Sequence, residues 1–260
     1  MPDRSMLMAE IRCSREISVL SVVFVMAMLL SILISSVEIT VYKTPGWFQK
    51  EYEKYSVLED VRGEMTMDSA LQVTDEMMRY LRGGRKDLVV MTTLDGKKQE
   101  FFSQREKDHL ADCRKLFLGG LRLRLLARIT AMLVLIRIGL LSRTSRRNGI
   151  DFIRKVPKVM GGSIFGLTVF IVLVARDFDQ SFIRFHHIFF DNDKWLLNPK
   201  EDNLINLLPE GFFVDTAARI LLIGLGLSAL LCCGFLLVNR LLKWKYPEES
   251  VQPQQSSPSA

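Results

Sequence analysis

ISVLSVVFVMAMLLSILISSV, residues 17–37, holds no charged side chain. At about 1.5 Å per residue it is long enough to cross the roughly 30 Å of a bilayer's hydrocarbon. Three more apolar runs follow, within 121–142, at 159–175 and at 217–239, and strongly charged sequence separates them. A soluble domain spreads its apolar residues around a core; this pattern predicts an all-α membrane protein with four transmembrane helices. The first run is longer than a signal-peptide core and no Ala-x-Ala-like site follows it, so the reading is a retained signal anchor over 17–39.

The charge pattern orients the spans. The formal net charge of +6 resembles a nucleic-acid footprint only until its location is considered. The stretch 143–158 carries Arg143, Arg146, Arg147, Arg154, Lys155 and Lys158 against the single acid Asp151, and Arg240, Lys243 and Lys245 follow the fourth run. Short Lys/Arg-rich segments stay in the cytoplasm. The expected order is a cytoplasmic lead (1–16), span 17–39, an extracellular cap (40–120), span 121–142, a basic cytoplasmic loop (143–158), span 159–175, an extracellular segment (176–216), span 217–239 and a cytoplasmic tail (240–260). Arg122, Arg124 and Arg128 on the outer side run against this rule, but long segments translocate largely regardless of charge. Their guanidinium groups are expected to reach the headgroups, and that of Arg137 the opposite interface. The Pro-, Gln- and Ser-rich end, 247–260, is too poor in apolar residues to fold.

The first outer segment predicts a small mixed α/β cap. A charged helix is expected over 51–61 and a clearer one over 68–81, stopped at Gly83-Gly84. Leu94-Asp95-Gly96 between two apolar runs, 87–93 and 97–102, signals a hairpin. Ser103 and Glu106 form a capping box, so a helix should begin at Gln104. It either continues into the second span or breaks at Gly119-Gly120. In the second outer segment Phe178, Phe182, Phe185 and Phe189 recur every three or four residues, one face of an amphipathic interfacial helix. Asn198-Pro199 and Pro209-Glu210-Gly211 read as turns. Gly161, Gly162 and Gly166 read as a close helix-packing face.

All three histidines, His109, His186 and His187, fall outside the apolar runs and on one predicted side. His109 shares a helix face with Arg105 and Asp112, and a carboxylate beside an imidazole can fix its tautomer and raise its basicity. His186 lies among Phe182, Phe185 and Phe189, where burial keeps an imidazole neutral and able to accept a proton. His187 points elsewhere. Cys13, Cys113, Cys232 and Cys233 form neither a disulfide pattern nor zinc spacing and read as small apolar fillers. No His-Glu-x-x-His, Gly-x-Ser-x-Gly or phosphate loop is present, and the acids Asp191, Asp193, Glu201 and Asp202 match no cation loop. No metal or cofactor is therefore expected.

The stretch from Phe185 through His186-His187-Ile188-Phe189-Phe190, Asn192 and Trp195 to Pro209-Glu210-Gly211-Phe212-Phe213 resembles the signature of a bacterial membrane family. That family includes the lipoprotein intramolecular transacylases of Gram-positive bacteria. Phe102-Ser103, Arg105-Glu106, His109 and Asp112 resemble its other motif, and the likeness spans about 17–242. The resemblance implies four membrane helices under an extracellular cap, with His109 and His186 as the catalytic pair at the cap–membrane boundary. Arg105, Asp112, Phe182, Phe185, Phe189, Asn192 and Trp195 would orient them or hold substrate. The implied reaction moves the sn-2 acyl chain of a diacylated lipoprotein to the α-amino group of its N-terminal cysteine, giving the lyso-form. Its partners would be diacylated lipoproteins and membrane lipids, with no nucleic acid. Two other readings are a zinc-dependent membrane hydrolase using the histidines and a carboxylate, and a non-enzymatic envelope protein with an aromatic lipid platform.

Overall fold

The charge-free run folds as the middle of a 40-residue helix, α1 (Arg4–Lys43). The computed structural model describes residues 4–245; of these, the side chains of 4–7, 9, 170 and 172–175 lie outside the described set. The expected disordered end, 247–260, also lies outside the described residues. The hydroxyls of Ser21, Ser35, Ser36 and Thr40 donate to the carbonyl four residues earlier at 2.7–2.9 Å, so α1 carries them without unsatisfied donors.

After α1 come α2 (Trp47–Lys54), α3 (Val57–Asp60), α4 (Met67–Leu81), β1 (Met91–Leu94), β2 (Lys97–Glu100) and α5 (Gln104–Thr144). The chain continues as α6 (Arg146–Ala175), α7 (Phe178–Phe189), α8 (Leu204–Leu207) and α9 (Glu210–Lys245). Among the described residues three helices, α1, α5 and α9, are long and apolar enough to cross a membrane. The expected span 159–175 forms the second half of α6, and its end falls on the side chains outside the described set.

The bundle core has helical spacing on each element. Ala127, Ala131, Val134 and Ile138 of α5 and Phe152, Val156 and Met160 of α6 pack against Ile17, Phe24 and Val25 of α1. Phe24 meets Phe152 and Phe235 edge-on at 5.5 and 5.7 Å. Leu125, Leu126, Met132, Leu133 and Ile136 on the other face of α5 are exposed, as they would be in a helix whose outer solvent is lipid.

A second core, made by Tyr52, Val57, Val73, Met77, Leu81, Leu94, Phe101, Phe102, Leu110 and Leu207 among others, belongs to a small α/β unit beyond the bundle. In α4 the buried residues Ala70, Val73, Thr74, Met77, Met78 and Leu81 form one stripe, with Thr66 as N-cap. The hairpin turns on Asp95 and Gly96, both at positive φ (52° and 72°), as a two-residue type I′ turn requires, with Leu94 opposite Lys97.

Several expectations need correction. The helix over 51–61 is two helices, with Ser56 at φ 48° between them. Tyr52 and Val57 are both buried, and five residues of one helix would turn them about 140° apart. The strands are shorter than the apolar runs that announced them, and Leu94 ends β1 instead of opening the turn. The basic loop at 143–158 shrinks to Ser145; the rest is helix, because Phe152 and Val156 face the core while Arg143, Arg146, Arg147 and Lys158 stay exposed and Lys155 reaches Ser18 Oγ of α1 at 2.7 Å. Pro209 precedes α9, which starts well before 217 because a residue without an N–H suits a helix start. Gly119-Gly120 does not break α5. Gly161, Gly162 and Gly166 have open space where a Cβ would stand, so they are not a packing face. Arg124 pairs with Glu38, and Arg137 with Glu16 at 2.7 Å, so both reach across to α1.

Candidate active site

The start of α5 is held in place by a single buried acid. Ser103 Oγ accepts from Glu106 N at 3.2 Å, and Glu106 returns the capping-box bond from Ser103 N at 2.5 Å. The other Glu106 oxygen accepts from the buried Leu204 N at 2.5 Å, which ties α5 to α8. Burial pushes the Glu106 carboxyl above its ordinary range, against the opposing pull of those N–H groups. Ser103 Oγ also donates to Asp202 at 3.0 Å, while Asn203 Nδ2 donates to Phe101 O at 3.4 Å and Arg62 N donates to Asn203 at 3.1 Å. The segment 198–206 is thus anchored against the first turn of α5, and one turn later stands His109.

His186 is set by α7, whose N-cap Asp177 accepts from Gln180 N at 3.1 Å. Its Nδ1 lies 2.8 Å from Phe182 O. A carbonyl only accepts, so Nδ1 carries the proton and Nε2 keeps its lone pair. Trp195 stacks on the ring at 4.7 Å and 28°, Phe182 lies at 4.2 Å and Phe185 at 5.6 Å. The two histidines meet: the His109 and His186 ring centroids are 5.9 Å apart, and both residues are buried.

The electrostatics keep both rings neutral. Burial, then the neighbouring His186, lower His109 to about 4, with Asp112 pulling weakly the other way. Burial also lowers His186, opposed by its bond to the Phe182 carbonyl.

The residues expected to orient this pair act on the loop above it. Asp112 makes no hydrogen bond to His109; it accepts from Asn192 Nδ2 at 3.0 Å and from Lys115 Nζ at 2.8 Å. Arg105 Nη2 donates to Asp193 O at 3.1 Å, and Lys194 pairs with Asp108 at 3.4 Å. One face of α5 (Arg105, Asp108, Asp112) therefore pins residues 192–194 and with them Trp195. Phe189 contacts Phe185 at 4.6 Å and stays half-exposed, away from the imidazoles. His187 is exposed, edge-on to Trp195 at 5.2 Å.

Two further side chains complete the surroundings of the pair. The Phe190 ring touches both His109 (5.3 Å) and His186 (5.5 Å). Cys113 Sγ lies 3.5 Å from His109 Nε2, its thiol pushed by burial up to about 12. The i, i+4 spacing of His109 and Cys113 was a readable signal; Phe190 stood in the quoted motif but follows the end of α7, where helical periodicity stops informing.

The chain is similar in fold to the in meso structure of the membrane integral lipoprotein intramolecular transacylase Lit from Bacillus cereus: TM-score 0.67, 23% identity, covering 89% of this chain and 98% of that one. Two variants of that protein, one histidine replaced by arginine or by alanine, match with TM-score 0.65 and 22% identity, covering 93% and 92% of this chain and 97% of theirs. No curated protein matches the chain. A family model described as lipoprotein intramolecular transacylase Lit matches residues 22–213, most of the sequence, so the chain belongs to the Lit family.

Proposed function

We propose that this chain moves the sn-2 acyl chain of a diacylglyceryl-modified lipoprotein onto the α-amino group of its N-terminal cysteine, leaving a lyso-form lipoprotein. As a family member it is a membrane-embedded acyltransferase. The observation that carries the finer reading is the pair of buried, neutral imidazoles 5.9 Å apart, one with its tautomer set by a backbone carbonyl.

In this mechanism the neutral amine attacks the ester carbonyl. His186 Nε2 takes the proton that the nitrogen must lose, as general base. A bond forms between nitrogen and the acyl carbon, the bond from that carbon to the glyceryl oxygen breaks, and His186 returns the proton to the departing oxygen. His109, lowered to about 4, is neutral at pH 7 and acts by donating an N–H hydrogen bond to the oxyanion. Donor and acceptor sit in one molecule, so positioning them supplies roughly 7–11 kcal/mol of the barrier. The rings of Phe182, Phe185, Phe190 and Trp195 keep out the water that would hydrolyse the ester.

The same reading gives four spans, with α6 crossing at 159–175, both termini in the cytoplasm and the histidines on the extracellular face under the α/β unit. The basic first half of α6 supports that orientation. Among the described residues no three His, Cys, Asp or Glu side chains gather as a metal site. The test is expression in a host whose lipoproteins carry a free N-terminus, with mass spectrometry of a lipopeptide. Transfer of an acyl chain to the amine is expected; an unchanged lipopeptide from correctly inserted protein defeats the proposal.

A further inference from the structure

Of the arginines on α5 within 121–142, Arg124 pairs with Glu38 and Arg137 with Glu16. Arg128, one turn beyond Arg124, has no carboxylate partner among the described residues. Its Nε donates to Ser31 Oγ and its Nη2 to Ser35 Oγ, both at 3.1 Å. Ser35 spends its own proton on the Ser31 carbonyl at 2.7 Å, so its oxygen is free to accept. Two hydroxyls thus orient the guanidinium without compensating its charge. Of its five N–H donors, two are engaged.

Arg128 is exposed on the outer surface of the bundle, at the rim of a crevice of about 380 Å³ between α1, α5 and α9. Ser31, Ser35 and Arg128 make its polar part; Met28, Ile32, Leu227 and Leu231 make apolar walls. An uncompensated cation on an apolar span is costly in lipid and calls for an anion. Arg128 lies about 6 Å along the helix from the Arg124–Glu38 pair and about 10 Å inside the start of the run 121–142, on the side of its midpoint nearer the histidines, so its long side chain extends towards the headgroups.

We propose that this crevice binds one membrane phospholipid, its phosphodiester on the Arg128 guanidinium and an acyl chain against Met28, Ile32, Leu227 and Leu231. Arginine suits the ligand because its planar fork matches phosphate oxygens. The polar head and apolar walls lie side by side, as they do in the ligand. None of these residues takes part in the proposed transfer, so the site stands independently of it.

Native mass spectrometry of the full chain in detergent, titrated with dioleoylphosphatidylglycerol, tests this. The wild type is expected to retain one molecule. Arg128→Gln, which removes the charge, and Leu227→Trp, which fills the crevice but keeps the charge, should each weaken retention tenfold or more. Arg122→Gln, a neighbouring exposed arginine outside the crevice, should leave it unchanged. Equal retention in wild type and both crevice variants overturns the proposal, as does an equal loss in Arg122→Gln. Dioleoylglycerol binding as tightly would show that the phosphate is not read. Displacement by millimolar inorganic phosphate would make the ligand a free anion. Either result overturns the lipid site.

Discussion

Removing the Glu106 carboxylate tests how the site is held together. Its two oxygens accept from two backbone donors, Ser103 N and Leu204 N, each at 2.5 Å. Glu106→Ala strands both donors in surroundings that expose only 1% of the residue it replaces. A stranded buried donor such as Leu204 N costs about 1–3 kcal/mol and the half-buried Ser103 N about 1, so the start of α5 and its tie to α8 should together weaken by about 2–4 kcal/mol. Glu106→Gln retains one acceptor oxygen and turns an amide N–H against the other donor, so about half that loss is expected. Because the tie is local, hydrogen exchange across 200–208 in nanodiscs is the direct assay. At about 1.4 kcal/mol per tenfold change, exchange there should accelerate by at least about tenfold for Ala, with Gln intermediate. Transfer should fall with it, because His109 stands on the turn that Glu106 anchors. Wild-type protection across 200–208 in Glu106→Ala would refute the reasoning, whatever happened to activity.

Four further outcomes are expected. His109→Ala and His186→Ala should each abolish acyl transfer, while His187→Ala should retain much of it; equal loss in all three would undo the assignment. Since burial lowers both His109 and His186 below the ordinary 6.5, both stay neutral as pH falls towards that value, and the acid limb of kcat/KM should lie below pH 6.5. The sign also fixes stability: the lowered His109 contributes fully above 6.5 and its contribution is lost as pH falls towards about 4, so a titration showing stability rising over that window would contradict its burial. Gly211→Ala would set a Cβ 2.3 Å from the Tyr55 ring, whose hydroxyl donates to Asp215 at 2.8 Å. Overpacking of this kind costs about 1–3 kcal/mol, readable as a lower unfolding temperature that Tyr55→Ala should partly restore.

Much of this was written in local sequence because its causes are local. Membrane helices announce themselves by long apolar runs, the hairpin by Asp95-Gly96, the start of α5 by Ser103 and Glu106, and α7 by phenylalanines on one face. Each signal acts within a few residues, through burial period or through a backbone donor satisfied nearby. The two histidines were legible as candidates because so few exist, and their motifs resemble those of the family.

Tertiary structure decided what depends on partners far along the chain. Asp112 sits one turn from His109, yet it spends its oxygens on Asn192 and Lys115, a choice that no helical wheel reveals. The stretch 143–158 looked like a loop from its charge, but whether charged residues end a helix or ride its outer face depends on where Phe152 and Val156 find a core. Above all, the 5.9 Å between His109 and His186 bridges 77 positions of sequence and is set by Glu106, Asp202 and the pinned 192–194 loop. Sequence determines which groups are available; their distances follow from which buried donors and acceptors must find one another as the chain folds.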